Sequence, residues 1–371
     1  MKRPTTWVEI KKSSLLSNAR YFRKLVGLNT QIMAVVKSNA YGHGIRQAVQ
    51  ALFGSVDWFG VANLEEAFTV RKYDKKTPIL VLSYFAESNI SDIAKSNIHL
   101  PLTSLEHTKT LINASNKCKK KINCHIKFDV GTSRVGFFEK DIKSLASLLK
   151  TSRYLNIAGI FSHFADSENS NQAFTVKQHL LFQKIIKKTE QELGKIKYHH
   201  IACTASTVSD QRFRYNLVRI GIGLYGLWPS DFIKNNHNTL TPVLSWKTKV
   251  LDIKKLTPGT SIGYARTCKI KKHKIIAILP MGYYEGYNRG LSNISRVLVK
   301  GQSAGILGAI CMNLMMIDIS NIRGVVRGDQ VTLIGNQGRG LISADELANK
   351  SKTINYEIVT RINPLLPRIL V

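Results

Sequence analysis

Cysteine and acid are both scarce in this chain. Five cysteines (Cys118, Cys124, Cys203, Cys268 and Cys311) are scattered over 371 residues with no CxxC pair and no metal-ligand spacing. That sets aside a disulfide framework and a cysteine-held metal, and it fits a reducing compartment. Long apolar runs are missing: none approaches the ~20 residues that a membrane span requires. The opening MKRPTTWVEIKK has no apolar core of a secretory signal, so a cytoplasmic location away from membranes is expected. Asp and Glu number 24 against 54 Lys and Arg, a net charge of +30. Such an excess suits a nucleic-acid partner only when it is gathered into a recognisable element. Here the lysines fall in short runs (Lys119–Lys121, Lys187–Lys188, Lys271–Lys272) along the whole chain, without zinc-finger spacing, an RNP-like segment or a basic tail. A solvated basic surface is expected, and no nucleic acid.

What is present is a regular alternation. Counting from Ile32, apolar runs with strand character fall at Ile32–Lys37, Trp58–Val61, Ile79–Leu82, Ile98–Leu102, Ile122–Phe128, Leu155–Phe161, His199–Ala202 and Asn216–Ile220. Segments with helical spacing separate them, among them Leu105–Ile112 and Ala173–Leu193. Eight β-then-α units predict parallel strands with crossover helices, and so a closed (β/α)8 barrel. An open doubly wound sheet is the rival, but no GxGxxG follows the first strand. After Pro229 the texture changes to short β-rich segments divided by turn signals: Ser245–Ile253, Lys274–Leu279, Ser295–Val299, Ala304–Leu307, Met315–Ile317 and Gln330–Ile334. One helix is expected near Ser343–Ala348, capped by Ser343 with Glu346 at its third position. The reading is therefore an α/β chain of two domains: a TIM-type barrel over 11–230, and a mostly β domain over 231–371 joined by the N-terminal strand 1–10.

In a barrel of this kind, polar residues at strand C-termini face the catalytic end. Lys37 closes the run AVVK, and a lysine at the end of a buried strand is costly to desolvate, which lowers its pKa and makes its amine a usable nucleophile or base. Lys127 and Asp129 end the fifth strand, with Arg134 a short loop away; His163 ends the sixth, Thr204 follows the seventh, and Arg219 precedes Gly221-Ile222-Gly223 in the eighth. Each residue alone reads as a member of an ion pair or as a satisfied core polar group. Together, two lysines, two arginines and a histidine converge on one rim, an arrangement that calls for an anionic ligand. The GIGLYG loop offers backbone N–H groups and Thr204 a hydroxyl, as a phosphate requires. A phosphorylated aldehyde that condenses with Lys37 accounts for these features together.

These residues lie in segments that resemble the bacterial alanine racemases, a family of pyridoxal 5′-phosphate enzymes of fold type III. AVVKSNAYGHG is similar to the family's cofactor-lysine motif and KFDVGTSRVGF to its KxDTGxxRxG segment. GIFSHFADSE, NLVRIGIGLYGL, SIGYART, MGYYEGYNR and ICMNLMMIDI match in order and spacing, and the resemblance reaches NYEIVTRI near the C-terminus.

The resemblance implies a two-base racemisation of L- and D-alanine that supplies D-alanine for peptidoglycan precursors. In that reading Lys37 binds the cofactor covalently and then acts as one base. Tyr264 is the other base, reaching the site from the partner subunit of a homodimer. Arg219 contacts the pyridine nitrogen and His163 orients Arg219. Tyr41, Thr204, Gly221, Ile222 and Tyr356 hold the phosphate. Arg134 contacts the cofactor's phenolic oxygen or the substrate carboxylate, and the partner's Met312 offers its backbone N–H to that carboxylate. Lys127 would hold Arg134 if carbamylated, and no metal is implied. The chain departs from the family pattern at Val130, at Thr132-Ser133, at Cys203 and Thr204 (usually Asn and Ser), and at Glu285 and Asn313 (both usually Asp). The departures bear on substrate preference, so a racemase of broader preference is the alternative. A decarboxylase of the same build is a further one, which the arginine in the eighth strand disfavours.

Overall fold

A computed structural model describes residues 4–85, 90–237 and 240–371. The chain forms two compact units. One comprises Leu15–Ala40 and Ala48–Thr241, the other the N-terminal segment through Ser14, Tyr41–Gln47 and Pro242–Val371.

Strand β1 (Thr6–Ile10) belongs to the second unit. The first is built on eight parallel strands: β2 (Gln31–Val35), β3 (Trp58–Val61), β4 (Ile79–Val81), β5 (Ile98–Leu102), β6 (Ile122–Lys127), β7 (Leu155–Phe161), β8 (Tyr198–His200) and β9 (Leu217–Ile220). Their order around the sheet is β8-β7-β6-β5-β4-β3-β2-β9. The two end strands meet where Arg219 N donates to Ala202 O at 3.1 Å, which nearly closes the barrel. Strands β3, β4 and β5 are buried throughout, as parallel strands covered on both faces must be. The helices return each strand to the next and bury one stripe. Helix Leu64–Tyr73 buries Leu64, Ala67 and Val70 and starts where Asn63 Oδ1 accepts Glu66 N at 3.0 Å. The expected strands Trp58–Val61, Ile98–Leu102 and Leu155–Phe161 appear with those bounds, whereas β2 stops at Val35, two residues short of Lys37.

The second unit carries a ten-stranded sheet in which β1 pairs antiparallel with Leu244–Lys249 and parallel with Arg368–Leu370. The expected strand Ser245–Ile253 is two strands, Leu244–Lys249 and Asp252–Leu256. The chain changes partners between them, Val250 N donating to Asp329 O and Leu251 N to Ile278 O. Ser343 caps Ala344–Lys350 by accepting Glu346 N at 2.9 Å, and a second short helix, Asn355–Thr360, follows it. Gly42, at φ +81°, lies so close to that second helix that a Cβ would fall 1.9 Å from Val359 O. Glycine is required there. Arg368 fixes the same segment, donating to the carbonyls of Gly42, Ile362, Asn363 and Leu366. Among the described residues, no helix is long and apolar enough to cross a membrane.

Candidate active site

Lys37 stands at the start of an uncommon turn. Ser38, Asn39, Ala40 and Tyr41 have φ of 55°, 53°, 54° and 53° in succession, a left-handed turn made without glycine. Such a conformation costs roughly 1–2 kcal/mol per residue, so something must hold it. Glu66, in the first turn of helix Leu64–Tyr73, is part of the answer: its Oε1 accepts Ser38 N at 2.6 Å and Asn39 N at 3.3 Å, while Oε2 accepts Ala62 N at 2.9 Å. Burial lowers the pKa of Lys37, Arg134 lowers it further, Glu66 opposes them and Arg219 adds to the depression.

Asp129 builds the loop that presents Arg134. Its buried carboxylate accepts the backbone N–H of Gly131, Thr132, Ser133 and Arg134 at 2.8–3.2 Å. Burial works against that charge, but the four N–H groups hold the carboxyl below its usual range. Phe137 then pairs back on the end of β6, with Phe137 N donating to Lys127 O and Asp129 N to Phe137 O. Gly136, at φ +135°, permits this approach, since a Cβ would meet Lys127 O and Asp129 N at 2.9 Å. The Asp, Arg and Gly of the segment are thus parts of one loop.

Lys127 is 6% exposed, donates to Leu82 O at 3.2 Å and lies over the Phe161 ring. Desolvation, then Arg134, Arg219 and Lys37, bring its pKa down to about 8 against the pull of Asp129. Arg219 is bound along its Nη edge. Nη1 donates to His200 Nδ1 at 2.8 Å and His200 O at 3.1 Å; Nη2 donates to Ser162 O at 2.7 Å, Ile201 O at 3.0 Å and His163 Nδ1 at 3.3 Å. His163 was the expected orienting residue, yet His200 makes the shorter bond. The sequence offered no sign of it: His200 reaches Arg219 only because β8 and β9 close the ring.

Thr204 Oγ1 accepts the N–H of Gly221 at 3.1 Å and of Gly223 at 3.4 Å. A Cβ on Gly223 would lie 2.6 Å from both the Phe22 ring and Thr204 Cγ2, so glycine lets this loop fold onto the hydroxyl. Ile222 is buried in the same loop. The barrel unit therefore brings together Lys37, Lys127, Arg134, His163 and Arg219 as one electrostatically coupled group, with Thr204, Gly221 and Ile222 in a compact cradle. In the second unit the rings of Tyr41 and Tyr356 lie 6.0 Å apart. In the same unit Tyr264 is 73% and Met312 55% exposed.

Comparison with known proteins gives the family of the fold. Residues 10–229 match the alanine racemase N-terminal domain and residues 243–370 the alanine racemase C-terminal domain. An alanine racemase 2 of Caldanaerobacter subterraneus subsp. tengcongensis is 36% identical, covering all of this chain and 95% of the relative. The alanine racemase of Methanococcus maripaludis is also 36% identical over 98% of each chain. In three dimensions, the alanine racemase of Bacillus anthracis, solved with L-Ala-P bound, superposes with a TM-score of 0.95 at 33% identity, covering 100% of this chain and 96% of that one. An alanine racemase of Clostridium difficile 630 gives 0.95 at 30% identity, covering 100% and 97%. With both domain families matched and relatives similar end to end, the chain belongs to the alanine racemase family.

Proposed function

We propose that this chain interconverts L- and D-alanine with pyridoxal 5′-phosphate held at the rim of its barrel. The observation that carries the reading is Lys37, a lysine amine kept below its ordinary pKa by burial and by Arg134 and Arg219, beside Lys127. Four cations so placed fit a phosphorylated, anionic group better than any neutral one. The Thr204 hydroxyl, on which the Gly221-Ile222-Gly223 loop is gathered, and the backbone N–H groups of Gly221 and Ile222 are the groups that would take its phosphate. When bound, that cofactor supplies an aldehyde for an amine and a ring that withdraws electrons from the substrate's α-carbon.

The residues divide the remaining work. Lys37 Nζ, its pKa lowered by burial and by Arg134, holds the cofactor and then takes or returns the α-proton. Tyr264 Oη serves the other side of the α-carbon, and its exposure suits a residue that acts in a second copy of the chain. The partner's Met312, likewise exposed, offers its N–H to the substrate carboxylate. Arg134, presented by the Asp129 loop, contacts that carboxylate or the cofactor's phenolic oxygen. Arg219 contacts the ring nitrogen as a donor that does not readily give up its proton, which keeps the ring a moderate electron sink. Tyr41 and Tyr356 complete the phosphate contacts.

The test is proton NMR of L-alanine with the protein in heavy water, followed by a chiral assay. Loss of the α-proton signal with appearance of D-alanine is expected. Exchange without D-alanine would leave only one working base, and neither signal in cofactor-loaded protein would turn the search to other amino acids and then to decarboxylation.

A further inference from the structure

Behind Arg219 the barrel interior holds a line of histidines that the chemistry above does not use. Arg219 Nη1 donates to His200 Nδ1 at 2.8 Å, and His200 Nε2 lies 2.9 Å from His125 Nδ1. His200 and His125 are both fully buried. Desolvation first, then the Arg219 charge and the neighbouring histidines, keeps them neutral. The proton pattern follows from the donors. A guanidinium only donates, so while Arg219 stays bonded to His200 Nδ1 that nitrogen is bare and the His200 proton sits on Nε2. That N–H then requires an acceptor, which makes His125 Nδ1 bare and puts the His125 proton on Nε2. Among the described residues, His125 Nε2 has no hydrogen-bond partner. A buried donor left in that state is a cost the fold carries for the sake of the other ring nitrogen.

The surroundings are shaped to admit this ring. The pairing of β6 with β7 shifts register between Cys124 and His125, so that His125 lies opposite Gly159. A Cβ on Gly159 would fall 2.3 Å from His125 Nδ1, so only glycine leaves room for the accepting nitrogen. Tyr198 stacks on His125 with an interplanar angle of 7°, and Phe161 on His200 with one of 5°, which fixes both ring planes. Beyond His125 stand Trp58 and His99, edge-on to it at 5.6 and 5.3 Å. They pack against it edge-on without bonding its Nε2.

We infer that His125 is a positioning residue: by accepting from His200 Nε2 it fixes the His200 tautomer that receives Arg219, and so sets the orientation of that guanidinium at the barrel rim. With the proton on the other nitrogen, His200 would turn an N–H toward the Arg219 N–H and the pair would separate. The consequence for turnover rests on the reading of Arg219 as a cofactor contact. The proton pattern does not, and the two can fail separately.

Neutron diffraction from crystals of the holoenzyme grown in heavy water reads the pattern directly. Deuterons on Nε2 of both His200 and His125, with none on either Nδ1, are expected. A deuteron on His200 Nδ1 would overturn the inference. Two variants separate accepting from packing. In His125→Phe the ring is kept and the acceptor lost, so His200 should no longer hold its proton on Nε2 alone and Arg219 should move. In His125→Asn the side-chain oxygen can stand where Nδ1 stood, so the wild-type pattern at His200 should return. Racemisation kcat should fall about tenfold in the first variant, at the low end of what losing an orienting partner costs, and recover in the second. An unchanged His200 in His125→Phe would refute the positioning role. The expected proton shifts with unchanged kcat would leave that role standing and count against the placement of Arg219 at the cofactor. Should His125→Phe fail to fold, the wild-type and His125→Asn patterns still decide.

Discussion

Asn313 donates from Nδ2 to Glu285 Oε1 at 2.8 Å. The second oxygen of Glu285 accepts Gly282 N, also at 2.8 Å. These are two positions at which the chain departs from the family's usual aspartates, and the structure makes them a single substitution in physical terms. One residue stays an acceptor and gains a methylene; the other becomes a donor to it. The pair braces the turn that carries Met312, where Tyr284 N donates to Met312 O and Cys311 N to Leu314 O, both at 2.9 Å.

Asn313→Asp should therefore destabilise, and the effect should depend on pH. Two carboxylates in place of an amide–carboxylate pair raise one folded-state pKa above its unfolded value near 4. Stability is then untouched below that unfolded pKa and is lost as pH rises through the raised folded one. At this exposed position a loss of about 1 kcal/mol at pH 7 is expected, fading toward pH ~4. Thermal melts of variant and wild type at the two pH values check it; an equal difference at both would remove the electrostatic explanation.

Glu66 makes a sharper prediction. It gathers three backbone N–H groups, two of them in the left-handed turn after Lys37. Glu66→Ala should cost about 1 kcal/mol, as one exposed and two half-buried N–H groups lose their acceptor. Glu66→Gln keeps an acceptor and removes the charge that holds the Lys37 pKa up. Its Lys37 should then carry more neutral amine at neutral pH and be acylated faster in cofactor-free protein, as read by peptide mass spectrometry. An unaltered rate would show that the charge of Glu66 does not reach Lys37.

How far the sequence disclosed these features depended on how local they were. The strands Trp58–Val61 and Ile98–Leu102 are continuous apolar runs between turn signals, and they were legible residue by residue. Lys37, Arg134 and Arg219 could be placed because barrel topology sends strand ends to one rim. His200 and His125 could not: one depends on ring closure and the other on a register shift in β6 and β7. The turn Ser38–Tyr41 was equally hidden, since nothing in SNAY announces positive φ and the carboxylate that holds it comes from another helix. The break at Val250-Leu251 escaped notice because both flanking strands read as one apolar alternation, while only the partners change.

Lys127, with its pKa at about 8, should reveal itself in alkaline solution. Its folded pKa lies below the unfolded lysine value, so between about pH 8 and 10 the unfolded chain binds more protons and stability rises with pH. Lys127→Met should lack that increment, roughly 1–3 kcal/mol. The same neutral amine is the form that takes up carbon dioxide, releasing a proton and becoming a carbamate that can pair with Arg134. Labelled bicarbonate should give a protein-bound carbamate signal in 13C NMR that Lys127→Met abolishes. A signal that survives the substitution would place the modification elsewhere.

Tyr264→Phe tests the division of labour between the two bases. With its side chain 73% exposed, Tyr264 contributes little to folding, and the variant should keep its stability within about 0.5 kcal/mol. Racemisation should fall steeply, and kcat/KM must fall equally in both directions because L- and D-alanine have the same free energy in water. The asymmetry between the bases has to be sought elsewhere, in exchange of the α-proton with heavy water. If Tyr264 serves the L side and Lys37 the D side, the variant should still exchange the α-proton of D-alanine while that of L-alanine persists. Retained exchange of both enantiomers would mean that Tyr264 is not a base. Loss of both would mean that Lys37 cannot act without it, and the separate assignment of the two faces would be wrong.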